Sequence, residues 1–99
     1  MQRDWLFHTD SCICSLRAAG ILISHGRILL QREHGGQEYA VPGGHVKIGE
    51  TTDECLVREY DEEMGIKIKC LKQLWSEECL WSWEGTDRHS ITFYKLRQP

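Results

Sequence analysis

No apolar run in the 99 residues approaches the roughly 18 needed to cross a bilayer as a helix, so a membrane partner is not expected. The opening stretch, Met1 to Asp10, lacks the charged and then greasy layout of a signal peptide, which points to a cytoplasmic location. Basic excess is missing too. Twelve Lys and Arg face fifteen Asp and Glu for a net charge of −3, which removes the footprint that nonspecific nucleic-acid binding requires. The five cysteines, Cys12, Cys14, Cys55, Cys70 and Cys79, form an odd set without CxxC spacing, so neither a disulfide framework nor a zinc ribbon is indicated. Cys12-Ile13-Cys14 with His8 nearby suggests a metal site only weakly, because CxC is not the usual structural zinc spacing; small residues on one strand face explain it better. Repeats, low-complexity tracts and linkers are absent, and a chain this short rarely divides, so residues 1–99 read as a single domain.

What is present is an ordinary globular composition, 40% hydrophobic and 27% charged. "AAGILIS", His25-Gly26 and "RILLQRE" read as a β-hairpin, since glycine accepts the positive φ of a tight turn. "HGGQE", residues 34–38, reads as a loop, and "YAV" as a short extended piece entering Pro42-Gly43-Gly44, where the backbone can turn sharply and expose its carbonyls. A helix is predicted over residues 52–64, with Thr52 as N-cap, Asp53 and Glu54 at the positive end of the dipole, and Gly65 at the left-handed C′ position. Leu56, Val57, Tyr60 and Met64 gather on its apolar side. "IKIKCLKQLW", "ECLWSWE" and "HSITFYKL" alternate like strands, with Gly85-Thr86-Asp87 turning between the last two. The fold class is therefore mixed α/β.

On the helical wheel Glu59 lies about 40° from Glu63 and about 60° from Glu62, while Asp61 points away. Like charges at these spacings destabilise a helix by a few tenths of a kcal/mol per pair. A solvated acidic face is the common meaning of such a pattern. Here a glycine turn able to offer a carbonyl precedes the helix, and an all-oxygen donor set suits Mg²⁺ or Mn²⁺. Arg58 and Glu50 supply an opposite-charge pair able to fasten loop to helix.

The stretch "GHVKIGETTDECLVREYDEEMGI", Gly44 to Ile66, resembles the Nudix box, with its fixed positions filled by Gly44, Glu50, Arg58, Glu59, Glu62, Glu63 and Gly65. "RAAGILI", "RILLQRE", "VPGGHV" and "HSITFY" extend the resemblance over most of the chain. It implies a mixed sheet packed on the box helix. Two residues depart from the pattern: Tyr60 stands where an aliphatic residue is preferred, and Lys47 where many relatives carry glutamate. Relatives usually continue past the strand matching "HSITFYKL" into a helix that covers the other sheet face; that helix is not expected here, so a second subunit or Trp5-Leu6-Phe7 is expected to cover the face, and a homodimer follows.

The resemblance implies Mg²⁺-dependent hydrolysis of the pyrophosphate bond in a nucleoside diphosphate linked to another moiety. It assigns metal binding to Glu59, Glu62, Glu63 and the Gly43 carbonyl, a supporting role to Glu50 and Arg58, and substrate contact to Gly44 and His45. Mn²⁺ would substitute. Glu77, Glu78, Glu84 and Asp87 stay open as general bases beside the box glutamates, and His45 and His89 as groups able to touch phosphate. Trp75, Trp81, Trp83 and Tyr39 offer faces on which a base can stack, although core or subunit contact is the commoner use of Trp81 and Trp83. A catalytically silent Nudix-like module that binds a nucleotide or a protein is the competing reading. A Ca²⁺-binding fragment is disfavoured by the missing D-x-D-x-D-G ladder.

Overall fold

The computed structural model describes residues 3–32 and 35–98. Its elements are β1 (Leu6–His8), β2 (Cys12–Ile21), β3 (Ile23–Ser24), β4 (Arg27–Ile28), β5 (Gly43–His45), α1 (Thr52–Met64), β6 (Cys70–Trp83) and β7 (Thr86–Arg97). A five-stranded mixed sheet runs β1-β2-β7-β6, with β5 also pairing β2. The long β2–β7 pair is parallel, in unbroken register from Cys12↔Asp87 to Ile21↔Leu96, and the other pairs of this sheet are antiparallel.

Register assigns side chains to faces, because paired residues share a side and neighbours along a strand alternate. Leu16, Ala18 and Gly20 of β2 look towards α1, where Ala18 joins Val46, Cys55, Leu56, Tyr60 and Ile68 in the buried core. Arg17 and Ala19 look the other way, with their β7 partners Thr92 and Tyr94. Tyr60, the departure from an aliphatic residue, lies 1% exposed under Gly20, where an added Cβ would stand 2.9 Å from its hydroxyl oxygen. That hydroxyl faces two acceptors, the carbonyls of Gly20 at 3.3 Å and Pro42 at 3.4 Å, and Arg97 lies 4.5 Å over the ring. The tyrosine thus fills an aliphatic site while its polar end stays satisfied.

Several sequence expectations change. The helix spans the residues expected, but its N-cap is Thr51. Thr51 accepts from the Glu54 amide at 3.1 Å, and the Glu54 carboxylate accepts from the Thr51 amide at 2.8 Å in a capping box. Cys55 joins Leu56 and Tyr60 inside, whereas Val57 and Met64 are each 39% exposed. Residues 66–69 of "IKIKCLKQLW" precede the sheet, and the rest of it joins "ECLWSWE" in the single strand β6, its register interrupted between Cys70 and Lys72 and between Gln73 and Trp75. The turn into β7 is Glu84-Gly85, both at positive φ, rather than Gly85-Thr86-Asp87. Around His25-Gly26 the hairpin strands are only two residues each. Gln31 pairs with Ala40 across the expected 34–38 loop, whose residue 34 lies outside the described residues. Trp81 and Trp83 are surface residues, 44% and 59% exposed, so they form no part of the core. Trp5 and Phe7 lie beside Leu16 and Ile91 on the helix side of the sheet, not on the far side. Among the described residues no helix is long and apolar enough to cross a membrane.

Candidate active site

The glycines ahead of α1 bring loop and helix together. Gly43 runs so close to β2 that an added Cβ would collide with the Ala18 carbonyl and stand 2.7 Å from the Ala19 Cα. At Gly44 an added Cβ would lie 2.5 to 2.8 Å from the Glu59 carboxyl atoms. The Glu59 head group therefore occupies the space a side chain at position 44 would fill, against the backbone that follows Gly43. Gly49, at φ 93°, lets the loop double back, and the Glu50 carboxylate accepts the Lys47 amide at 2.9 Å.

Arg58 ties these parts into one unit. Its Nη2 and Nε donate to the two oxygens of Glu50 at 2.7 and 3.0 Å, and Nη2 also donates to the His45 carbonyl at 3.2 Å. Nη1 donates to Glu59 at 3.0 Å and Glu62 at 3.2 Å. Side-chain exposure is 19% for Arg58 and 7% for Glu50, so this fork-on-fork pair is not a loose surface contact. Hydrogen bonds from Arg58 hold Glu50 below the usual carboxylate range, and Glu50 in turn raises the Arg58 guanidinium further. Cys55 fastens the loop from beneath, its thiol donating to the His45 carbonyl at 3.5 Å. Burial, followed by the Glu50 charge, pushes that thiol up to about 12, so it is a neutral packing group.

Arg58 joins Glu59 and Glu62 on one face of the helix, and Glu63 follows Glu59 by one turn. Glu63 is raised above the usual carboxylate range, first by a hydrogen bond with Glu59, then by burial and by the charges of Glu59 and Glu62. Among the described residues no three acidic, His or Cys side chains stand as a ready-made coordination shell, since Arg58 bonds to Glu59 and Glu62. The donor set is nevertheless all oxygen and rich in carboxylate, which fits a hard divalent ion and no soft one.

His45 accepts at Nε2 from Arg17 at 3.2 Å, because a guanidinium has only donors. Burial first and Arg17 second lower its pKa and keep it neutral. Of the acids left open as bases, Glu77 pairs with Thr92, in the same cross-strand row as Arg17 and His45. Glu78 is on the opposite face, 3.3 Å from His89. Glu84 is in the β6–β7 turn, and Asp87, beside it, bonds to Ser82. Sequence reasoning missed Arg17 and Cys55, because it gave no sign that β2 pairs with Gly43–His45 or that the helix turns Cys55 towards that loop. A larger depression, about 680 Å³, lies along Gln31, Arg32, Gly36, Gln37, Glu38 and Ala40 and contains none of the box residues.

A mixed sheet, one helix bearing Glu59, Glu62 and Glu63 and a glycine turn clamped to it by Arg58 define an α/β protein of the acidic-helix, glycine-loop class. The family model for the NUDIX domain matches residues 15–98, and the chain belongs to that family. Members generally use divalent metal ions. The chain is 40% identical over 53 residues to the NAD-capped RNA hydrolase NudC of Photorhabdus laumondii, covering 54% of this chain and 21% of that protein. It is 44% identical over 54 residues to the 8-oxo-dGTP diphosphatase of Haemophilus influenzae, covering 50% and 40%. The solution structure of the E. coli ORF135 protein superposes with a TM-score of 0.61 at 27% identity, over 83% of this chain and 60% of that one. A UDP-X diphosphatase shares the fold, with a TM-score of 0.65 at 21% identity over 84% and 41%. The chain thus spans less than half the length of the two curated relatives.

Proposed function

We propose that the chain hydrolyses the pyrophosphate bond of a nucleoside diphosphate linked to another moiety, with Mg²⁺ as its ion and Mn²⁺ as a substitute. The observation that carries this reading is the set of Glu59 and Glu62, joined by Arg58 at 3.0 and 3.2 Å, with the Glu59 head group packed over Gly44 and Glu63 one turn further along the helix. Membership of the family and relatives that act on nucleotide derivatives support it. Glu59, Glu62, Glu63 and the Gly43 carbonyl would hold the ion, which when bound offsets charge on the phosphate oxygens and lowers the pKa of a water.

The protein's own contribution is placement. Arg58 holds Glu59 against the loop and is itself fixed by Glu50, so the acidic helix and the glycine turn keep one spacing. Arg58 also donates to both Glu50 oxygens and the His45 carbonyl, contacts that would keep it anchored if Glu59 and Glu62 held an ion. Gly44 leaves the backbone bare beside the acids, and neutral His45 with Arg17 lines the approach for an anion. We take the protein to be cytoplasmic and a homodimer, with exposed Trp81 and Trp83 as an apolar surface for association, which equilibrium sedimentation tests.

A panel of nucleoside diphosphate derivatives with millimolar Mg²⁺ tests the activity. Hydrolysis at the pyrophosphate is expected, with near-total loss in Glu62→Gln. Full activity in that variant, or none in the unaltered chain with any divalent ion, would overturn the reading.

A further inference from the structure

Two adjacent cross-strand rows on the sheet face away from α1 have opposite characters. One runs His45, Arg17, Thr92, Glu77, all polar, and the next runs Gly43, Ala19, Tyr94, Trp75, two small residues followed by two aromatic ones. Trp75 and Tyr94 stack with ring centroids 4.7 Å apart and planes 18° apart. Since Trp75 stands on the β6 side of Tyr94, it covers one face of the phenol ring and leaves the face towards β2 free. On that side nothing larger than Ala19 and Gly43 occupies the row. A slot of about 270 Å³ opens there, lined by Arg17, Ala19, Val41, Gly43, Thr92 and Tyr94.

The slot is short of the roughly 300 to 1,000 Å³ of a pocket for a whole ligand, and of a size for one part of a molecule. It reaches Gly43, and the next residue, Gly44, lies against the Glu59 head group of the proposed site. A group held there would share a molecule with a pyrophosphate held at Glu59 and Glu63. Its chemistry is legible from the walls: a rigid aromatic face braced from behind by Trp75, a floor too small to obstruct a flat ring, and a polar edge from Arg17 and Thr92. Phosphate alone would use Arg17 and leave the Tyr94 face idle.

We infer that this slot takes the nucleobase of the substrate, stacked on the free face of Tyr94, so that Tyr94, braced by Trp75, discriminates base-bearing from base-less diphosphates. The inference rests on the pyrophosphate reading above and names the part of the substrate that reading leaves open.

Equilibrium binding with Mg²⁺ tests it, using the non-hydrolysable α,β-methylene analogues of ADP, GDP, CDP and UDP beside the base-less ribose 5-methylenediphosphonate. The best nucleotide analogue should bind about fivefold or more tighter than the base-less one. Tyr94→Leu should bring that ratio close to one. Ala19→Val, which narrows the slot while the Tyr94 ring is kept, should do the same and decides the matter if Tyr94→Leu fails to fold. Trp81→Leu, on the same face but outside the slot, should leave the ratio unchanged. A ratio near one in the unaltered chain, or a ratio that survives in folded Tyr94→Leu or Ala19→Val, overturns the slot and leaves the pyrophosphate reading standing. Failure of every analogue to bind with Mg²⁺, the base-less one included, overturns both.

Discussion

Gly44→Ala probes the site with one methyl group. The new Cβ would stand 2.5 Å from Glu59 Cδ and 2.6 and 2.8 Å from its oxygens, so the carboxyl must retreat by roughly 0.6 to 0.9 Å to regain ordinary contact at 3.4 Å. The obstruction is the far end of a flexible side chain, and retreat costs little beyond the 3.0 Å bond from Arg58. The stability loss should therefore stay within about 1 kcal/mol, the worth of one hydrogen bond, a drop in Tm of no more than about 4 to 8 °C for a domain this size. Activity responds differently, because a misplacement of about 1 Å at a reacting centre costs on the order of 10²-fold. Calorimetry and steady-state kinetics on one preparation separate the two, and kcat/KM should fall about a hundredfold while the variant remains folded. Full turnover with unchanged metal affinity would refute the claim that the Glu59 head group works from the space over Gly44.

Glu63→Gln removes one of the charges that crowd Glu59, so without metal the variant should melt about 1 to 3 °C higher than the parent, and added Mg²⁺ should stabilise the parent more than the variant. Glu50→Gln tests the clamp through pH. The Glu50 pKa is lowered in the fold, so its contribution is present above the ordinary value of 4.5 and lost as pH falls through the folded value. In urea unfolding between pH 7 and 3, the stability gap between parent and variant should narrow as the solution is acidified; a gap that does not change would show that Arg58 draws no support from Glu50.

The parts of the fold that were legible are those set by neighbours in the chain. The span of α1 followed from its acids, its apolar spacing and Gly65, which adopts φ 66° and donates its amide to the Asp61 carbonyl. The one-residue error at its start had a visible remedy, since Glu54 three positions after Thr51 completes a capping box. Val57 and Met64 were misplaced because a helical wheel gives the direction of a face but not the width of the surface it meets. The merger of two expected strands into β6 depended on β7, which pairs without a break from Trp75 to Trp83 across the junction between them. At the site, the shared face of Glu59, Glu62 and Glu63 could be read from helical spacing, whereas the roles given to these acids and to Arg58 came from the resemblance to the Nudix box. Trp75 was open as a stacking face, but Arg17 and Tyr94 could not be read, because their rows exist only once parallel β7 lies beside β2, a pairing that spans most of the chain.

The most direct test of the central claim is a titration with Mn²⁺ followed by electron paramagnetic resonance, which counts free ion against bound. The unaltered chain should take up Mn²⁺, Mg²⁺ should displace it, and Glu59→Gln and Glu63→Gln should each weaken uptake tenfold or more, about 1.4 kcal/mol. Mn²⁺ that stays free, or that binds equally well to both variants, would contradict the assignment of these carboxylates to a divalent cation.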